Sequence, residues 1–370
     1  MHDGGFVGIG DWGLGIGDWE SEDEAVPSAK SAPPFAPSPH RPITQSPIPN
    51  PHESIPTNPQ SPEYPVASSI RPGPSGGRDS KVTATGYLFG IQTPTQRPWP
   101  DVLAAWRQAE ALGFDSAWLA DHYVPPFRPE APIFEAWTLL AALASATESI
   151  RLGVLVSCNT FRHPPLLAKE AITVDHVSGG RLEFGLGAGW FVPEHEMYGL
   201  PFPGPRELVA RFREAVEICD ALMTQETVSY AGEYYRLDGA LSRPMPVQRP
   251  RPPFTLGAHG PRMMRIVAAH AQRWNSNGTL AEMRDRNQLL DDACAAVGRD
   301  PGEVLRSHLY VPAILRDERP FDSADAMADF VGRFGAAGVR EFILQPPADT
   351  TPEAMERVGL EWLPAIRRTG

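Results

Sequence analysis

From about Val82 onward, short apolar runs alternate with amphipathic stretches, and this alternation limits the fold more than any other feature. The runs are Gly86–Ile91, Ser116–Leu119, Arg151–Val156, Arg181–Leu186, Phe254–Leu256, Trp274–Ser276, His308–Leu315 and Glu341–Leu344. Apolar runs this short read as strands, and strands separated by helices imply an α/β fold with a parallel sheet. Between them, Asp101–Leu112 places Val102, Leu103, Trp106 and Ala109 on one stripe at helical spacing. Phe134–Thr147, Leu166–Val177 and Glu207–Met223 are further predicted helices, and Gly113 and Gly179–Gly180 stand where helices end. Eight such units predict a (β/α)₈ TIM barrel, with a doubly wound open sheet as the alternative. Thr227–Leu237 has β-type residues around Ala231-Gly232 and reads as a hairpin. The proline-rich loop Ser242–Pro253 follows it, so an insertion is predicted between the fourth and fifth strands.

The region before Val82 is different. Fifteen of the 41 prolines lie between Pro27 and Pro74, where they remove backbone donors and fix φ. With few large apolar residues, residues 1–80 are expected to form a disordered tail, and residues 81–370 the barrel. Gly8-Ile9-Gly10-Asp11-Trp12 recurs as Gly15-Ile16-Gly17-Asp18-Trp19. Three readings of the tail compete: a flexible tether, a partner-binding segment carrying Trp12 and Trp19, and a gene start set too far upstream. The third is favoured, because the predicted barrel looks complete without the tail.

Net charge is −12, shared between tail and barrel, which argues against nucleic acid. Cys158, Cys219 and Cys294 are far apart and odd in number, which suits reduced thiols and a cytoplasmic protein. No apolar stretch approaches the ~20 residues of a membrane span, and no HExxH metal motif is present.

In a (β/α)₈ barrel, residues just past the C-terminal ends of the strands line the active site. Here these are Gln92-Thr93-Pro94, Asp121-His122, Ser157 to Thr160, Ala188-Gly189-Trp190, Gly257-Ala258-His259-Gly260 and Gln345. They are polar, glycine-rich or aromatic after apolar runs, as a site for a polar aromatic ligand would be. Asp121-His122 is the candidate reactive pair, since a histidine exchanges protons near neutral pH. Against this, adjacent residues on an extended chain point apart, and Asp121 can equally tie a loop while His122 is merely polar. Gly185-Leu186-Gly187-Ala188-Gly189 resembles a dinucleotide loop but has Trp190 in place of the third glycine. Gly257 to Gly260 precede Pro261, which suits a first helical turn, so free N–H groups there form a candidate phosphate site.

Five blocks in order carry a family resemblance: GIQTP at Gly90–Pro94, GFDSAWLADH at Gly113–His122, and IRLGVLVSCNTFRHPPLLAK at Ile150–Lys169. SGGRLEFGLGAGWFVPEHEMYG at Ser178–Gly199 and PVQRPRPPFTLGAHG at Pro246–Gly260 complete them. They resemble the luciferase-like monooxygenase superfamily, in particular its bacterial oxidoreductases that use the deazaflavin coenzyme F420. The resemblance implies a cofactor ring across the strand ends, near Asp121, Ser157, Asn159, Ala188, Gly189 and Trp190. It implies a non-prolyl cis peptide at Leu155-Val156 against the ring, proton transfer by His122, and a phosphate held by Gly257, Ala258, His259 and Gly260.

The chain departs from the sugar-phosphate dehydrogenases of that group. Pro126 replaces a tryptophan, Trp190 an acid, and Ala258 a glycine of the phosphate loop. Arg273 stands in a motif expected near the barrel mouth, where Arg206, Arg211 and Arg273 would suit an anionic cofactor tail. The implied activity is hydride transfer between F420 and a small organic substrate. An FMN-dependent monooxygenase fed by a partner reductase is the alternative, and a non-catalytic binding barrel a lesser one. A homodimer is a candidate assembly.

Overall fold

The computed structural model describes residues 86–93 and 95–368. The predicted tail and its tandem repeat lie outside the described residues, as does Pro94. Eight strands form the centre: β1 (Leu88–Gln92), β2 (Ser116–Leu119), β3 (Arg151–Val154), β4 (Leu182–Gly187), β5 (Phe254–Gly257), β6 (Arg273–Ser276), β7 (Leu305–Tyr310) and β8 (Glu341–Leu344). They pair in parallel around a ring that closes where Leu152 and Gly153 of β3 meet Leu182 and Glu183 of β4. The protein is therefore a closed (β/α)₈ barrel, and all its strand C-termini open on one rim.

The helices that position the site are α1 (Trp99–Ala111), α2 (Ala136–Ala146), α3 (Pro164–Ser178), α4 (Val192–Tyr198), α5 (Pro205–Thr224), α6 (Pro261–His270), α7 (Leu280–Ala296) and α8 (Ala324–Ala336). Outward strand residues Phe89, Phe184, Phe254, Trp274 and Phe342 are fully buried against helix residues that include Trp106, Leu140, Phe212, Met264 and Phe330. Each buried side chain of this size stabilises by about 1.5–3 kcal/mol. This outer layer is the main core.

The barrel interior is small. Trp118, Leu155 and Ile343 fill it, with Val156 and Leu309 packed alongside. The indole fits because the flanking inward positions are glycine: a Cβ on Gly153 would lie 2.6 Å from the Trp118 ring, and one on Gly90 3.1 Å from its Nε1. Trp118 Nε1–H donates to Ser116 Oγ at 2.8 Å. Below it lies an ionic floor. Arg273 donates to Glu183 at 2.5 Å and to Thr255 Oγ1 at 3.1 Å. Its Nε lies 2.7 Å from Glu341, within ion-pair range though off hydrogen-bond alignment.

Two sequence expectations are corrected here. Arg273 is the first residue of β6, so parallel strand direction puts it on the floor, at the end opposite the mouth. The seventh strand begins at Leu305 and ends at Tyr310, not at Leu315. The apolar run after it folds into turns, with Ile314 and Leu315 N–H both donating to the Val311 carbonyl.

The predicted hairpin pairs Thr227–Ala231 with Arg236–Leu241 and lies between β4 and β5. Buried Glu214 of α5 holds its turn by accepting from the backbone N–H groups of Glu233, Tyr234 and Tyr235. Arg211, expected to serve a cofactor tail, is instead bonded to Glu207 at 2.6 Å and lies 4.7 Å from the Tyr234 ring centroid.

Candidate active site

The loop after β2 carries Asp121, His122 and Tyr123, and the first two face different partners. Asp121 is buried and accepts from the Cys158 backbone N–H at 2.8 Å. It also takes both arms of Arg162, at 2.6 and 3.1 Å. Arg162 further contacts Glu135, the N-cap of α2, and lies 3.4 Å from Glu170. Burial alone would lower the Arg162 pKa, but Asp121, Glu135 and Glu170 outweigh it and push it up. Burial pushes the Glu170 carboxyl up to about 7, against the opposing pull of Arg162. Asp121 is thus a structural anchor between the loops after β2 and β3, and not the orienter of its neighbour.

His122 is held from across the barrel rim. Its Nδ1 lies 2.8 Å from Glu194 Oε1, and Glu194 Oε2 accepts the Tyr123 backbone N–H at 3.0 Å. Glu194 sits in the first turn of α4 and is 1% exposed. The next residue, His195, is also fully buried. Its Nδ1 contacts the Phe191 carbonyl at 2.8 Å and its Nε2 meets Thr160 Oγ1 at 2.6 Å. A carbonyl only accepts, so His195 carries a hydrogen on Nδ1, and in the neutral ring Nε2 accepts from the Thr160 hydroxyl. Two consecutive residues of one short helix therefore tie together the loops after β2, β3 and β4. Trp190 and Phe191 stand edge-on to the His122 ring, at 5.7 and 6.2 Å between centroids. Tyr123 stacks on Phe161 at 4.4 Å.

The end of β3 forms the neighbouring wall. The Leu155-Val156 peptide is cis. The Val156 side chain occupies the space left open by two glycines: a Cβ on Gly187 or Gly257 would lie 2.5 or 3.0 Å from its Cγ2. Gly189 has φ +97°, and a Cβ there would approach Cys158 Sγ and Thr160 Oγ1 to 2.9 Å. Ser157 is buried, and its Oγ accepts from Trp137 Nε1 at 3.1 Å, so this side chain serves α2. Asn159 is also buried, and neither its Oδ1 nor its Nδ2 has a partner. An amide so placed costs about 1–3 kcal/mol unless something else satisfies it. Burial pushes the Cys158 thiol up to about 12, which makes it a poor nucleophile.

Past β5, Ala258 turns its side chain into the outer core, and its carbonyl accepts from Trp274 Nε1 at 2.9 Å. Its methyl group is therefore spent on packing, and its N–H donates to the Asn275 carbonyl at 3.4 Å. Burial, reinforced by Arg286, lowers the His259 pKa to about 4, and its Nδ1 has no partner. Gly260 is the N-cap of α6 and supplies no side-chain cap. The start of α7, by contrast, is closed by a capping box between Thr279 and Glu282. The first N–H groups of α6 thus have no side-chain cap and lie at the positive end of the helix dipole.

Sequence reasoning singled out Asp121, His122, Asn159, Trp190 and Gly257 to Gly260, and these line the rim from β2 to β5. It missed Glu194, Arg162 and Tyr123. The one available signal for Glu194 was a carboxylate in the first turn of a helix directly after the glycines of β4. Among the described residues there is no cluster of His, Cys, Asp and Glu that could hold a metal ion. No helix among them is long and apolar enough to cross a membrane.

Residues 82–362 match the family described as luciferase-like monooxygenase. An F420-dependent hydroxymycolic acid dehydrogenase of Mycobacterium tuberculosis is 30% identical over 305 residues, covering 80% of this chain and 79% of the relative. An F420-dependent glucose-6-phosphate dehydrogenase of Intrasporangium calvum is 34% identical over 235 residues, covering 62% and 68%. Among solved structures, an F420-dependent secondary alcohol dehydrogenase superposes with TM-score 0.66 at 20% identity, covering 76% of this chain and 99% of the other. With the barrel, the rim and these matches in hand, the chain belongs to the luciferase-like monooxygenase family and is an oxidoreductase.

Proposed function

We propose that the protein transfers a hydride between coenzyme F420 and a neutral, largely apolar alcohol or ketone, with His122 exchanging the proton. The observation that carries this is His122 itself. Its Nδ1 is fixed by Glu194, and its Nε2 has no partner among the described residues. It stands on the rim where the buried Asn159 amide also lacks one. F420-dependent relatives at 30% identity or more support the choice of cofactor.

The residues present fit the group. The unpartnered Asn159 amide would offer a donor and an acceptor to a polar ring. The uncapped start of α6 and the unpartnered His259 Nδ1 would take a phosphate. When bound, F420 supplies a two-electron hydride acceptor or donor. Substrate placement and one proton are left to the protein. In the oxidising direction His122 Nε2 takes the hydroxyl proton, and in the reducing direction it returns one to the carbonyl oxygen. Trp190 and Phe191 shield that ring edge-on and, with Tyr123 and Phe161, offer aromatic surface to an apolar substrate. Trp190 and Pro126, at positions where sugar-phosphate dehydrogenases carry an acid and a tryptophan, speak against a phosphorylated sugar.

Titration of the protein with F420 and with FMN, followed by fluorescence quenching, tests the cofactor. Micromolar or tighter binding of F420, with much weaker binding of FMN, is expected, and the reverse order would replace this proposal by the monooxygenase one. His122→Ala should keep F420 affinity and lower turnover by ~10²–10⁴-fold. Unchanged turnover would remove His122 from the mechanism.

A further inference from the structure

We infer that Glu194 is the positioning residue for His122: its buried carboxylate fixes Nδ1 as the protonated nitrogen and presents Nε2 to the substrate. This rests on the proposed role of His122.

The geometry leaves little freedom. Glu194 is 1% exposed, and a buried carboxylate keeps its charge only when hydrogen bonds satisfy it. Oε2 is satisfied by the Tyr123 backbone N–H at 3.0 Å. Among the described residues, Oε1 faces His122 Nδ1 alone, at 2.8 Å. As an acceptor-only group it requires a hydrogen on that nitrogen, because the opposite tautomer would set a lone pair against a lone pair. Nε2 is then the lone-pair nitrogen of the neutral ring and is free to accept a proton. The obvious rival, Asp121, is committed to Arg162 and to the Cys158 N–H. Trp190 and Phe191 hold the ring edge-on but cannot exchange a proton with it.

The placement of Glu194 is itself over-determined. The neighbouring His195 anchors α4 through Phe191 and Thr160, and Tyr123 anchors it through Oε2. The carboxylate therefore stays where it is when the imidazole changes charge. During oxidation of an alcohol the O–H bond breaks and its proton joins Nε2. The O–H electron pair closes the carbonyl as the carbon's hydrogen leaves with its own pair for the two-electron acceptor. The imidazolium so formed faces Glu194 across a short contact screened from water, where opposite charges attract most strongly.

The test is designed around glutamine. Glu194→Gln keeps the shape and can still accept from Tyr123 N–H through its carbonyl oxygen. It then points an NH₂ at Nδ1 and forces the hydrogen to Nε2. Nitrogen-15 NMR of the imidazole, assigned with His122→Ala, reads this directly at a pH where the ring is neutral. Wild type should show the Nδ1–H tautomer and Glu194→Gln the Nε2–H tautomer. With 2-octanol as hydride donor, kcat should fall by ~10²–10⁴-fold, the span of general acid–base assistance that the wrong tautomer forfeits, and KM should stay within about threefold. The double variant should be no slower than His122→Ala alone.

An Nε2–H tautomer in wild type, an unchanged tautomer in Glu194→Gln, or additive losses in the double variant would each overturn the inference. The wild-type spectrum decides even if the variant fails to fold, and the tautomer decides if 2-octanol is not oxidised. Failure of the F420 proposal shows instead in the binding titration and leaves these spectra unchanged, so the two failures are distinguishable.

Discussion

Replacing Arg273 by methionine separates the floor of the barrel from its mouth. Methionine fills much of the same volume but leaves buried Glu341 without its cation and Glu183 with Arg151 alone. Removing one partner of a buried ion pair costs about 3–5 kcal/mol, a large share of the ~5–15 kcal/mol that holds a domain together. The pH dependence follows from the carboxylates. Burial pushes Glu341 up, and Arg273 opposes it. Burial also acts on Glu183, but Arg151 and Arg273 outweigh it and hold that carboxyl low. Without Arg273 both folded-state values rise. A carboxyl whose folded pKa is raised contributes stability at low pH that is lost as pH climbs through that value. The deficit relative to wild type should therefore be smaller at pH ~5 than at pH ~8, where both carboxyls must ionise with a cation missing. Urea unfolding followed by tryptophan fluorescence at both pH values measures it, and F420 titration on the same samples should show affinity within about threefold of wild type. A deficit under ~1 kcal/mol, or one independent of pH, would refute the ionic-floor argument. A tenfold loss of cofactor affinity in a protein of normal stability would return Arg273 to the mouth.

Other expectations are more local. Gly260→Asp has open space around its Cβ and extended backbone, so the new carboxylate should cap α6 and add a few tenths of a kcal/mol. The same charge should weaken F420 binding at least tenfold by repelling the phosphate, and unimpaired binding would move the phosphate elsewhere. Glu170, pushed up to about 7 by burial, contributes stability that is present below its ordinary value of 4.5 and is lost as pH rises through about 7. Glu170→Gln should flatten that slope, leaving the variant more stable than wild type above pH ~7 by about 1 kcal/mol after allowing for partial exposure. Parallel stability–pH curves for the two proteins would contradict the assignment.

Much of the architecture was legible because the barrel is built from local signals. Ser116–Leu119 and Glu341–Leu344 are strands with the predicted bounds, and α1, α2, α3 and α5 lie within a few residues of theirs. The seventh strand slipped because its first half is polar. Arg306 and the buried Ser307, at its start, do not look apolar, and the run after Tyr310 imitates a strand while folding as turns. Arg273 was misplaced because a motif was followed without its direction: the first residue of a parallel strand lies at the floor whatever family it resembles.

At the site, alternation along an extended chain already implied that Asp121 and His122 point apart, and they do. The partner each chose was not visible. Glu194 lies 72 residues from His122, and Arg162 lies 41 from Asp121. Only closure of the barrel, which brings β2, β3 and β4 side by side, makes them neighbours. The glycines that end β4 and β5 carried a different meaning from the expected one. Gly187 and Gly257 make room for Val156 of the same chain, and their openness to a ligand is secondary.

The proposed reaction is hydride transfer to F420 without oxygen chemistry. Incubating the protein anaerobically with oxidised F420 and a panel of neutral secondary alcohols, deuterated at the carbinol carbon, tests it most directly. Mass spectrometry should find one deuterium in the reduced coenzyme, matched by ketone formation, and admitting air should cause no oxygen uptake. Absence of label transfer across the panel, together with oxygen uptake and a hydroxylated product when reduced FMN is supplied, would contradict it.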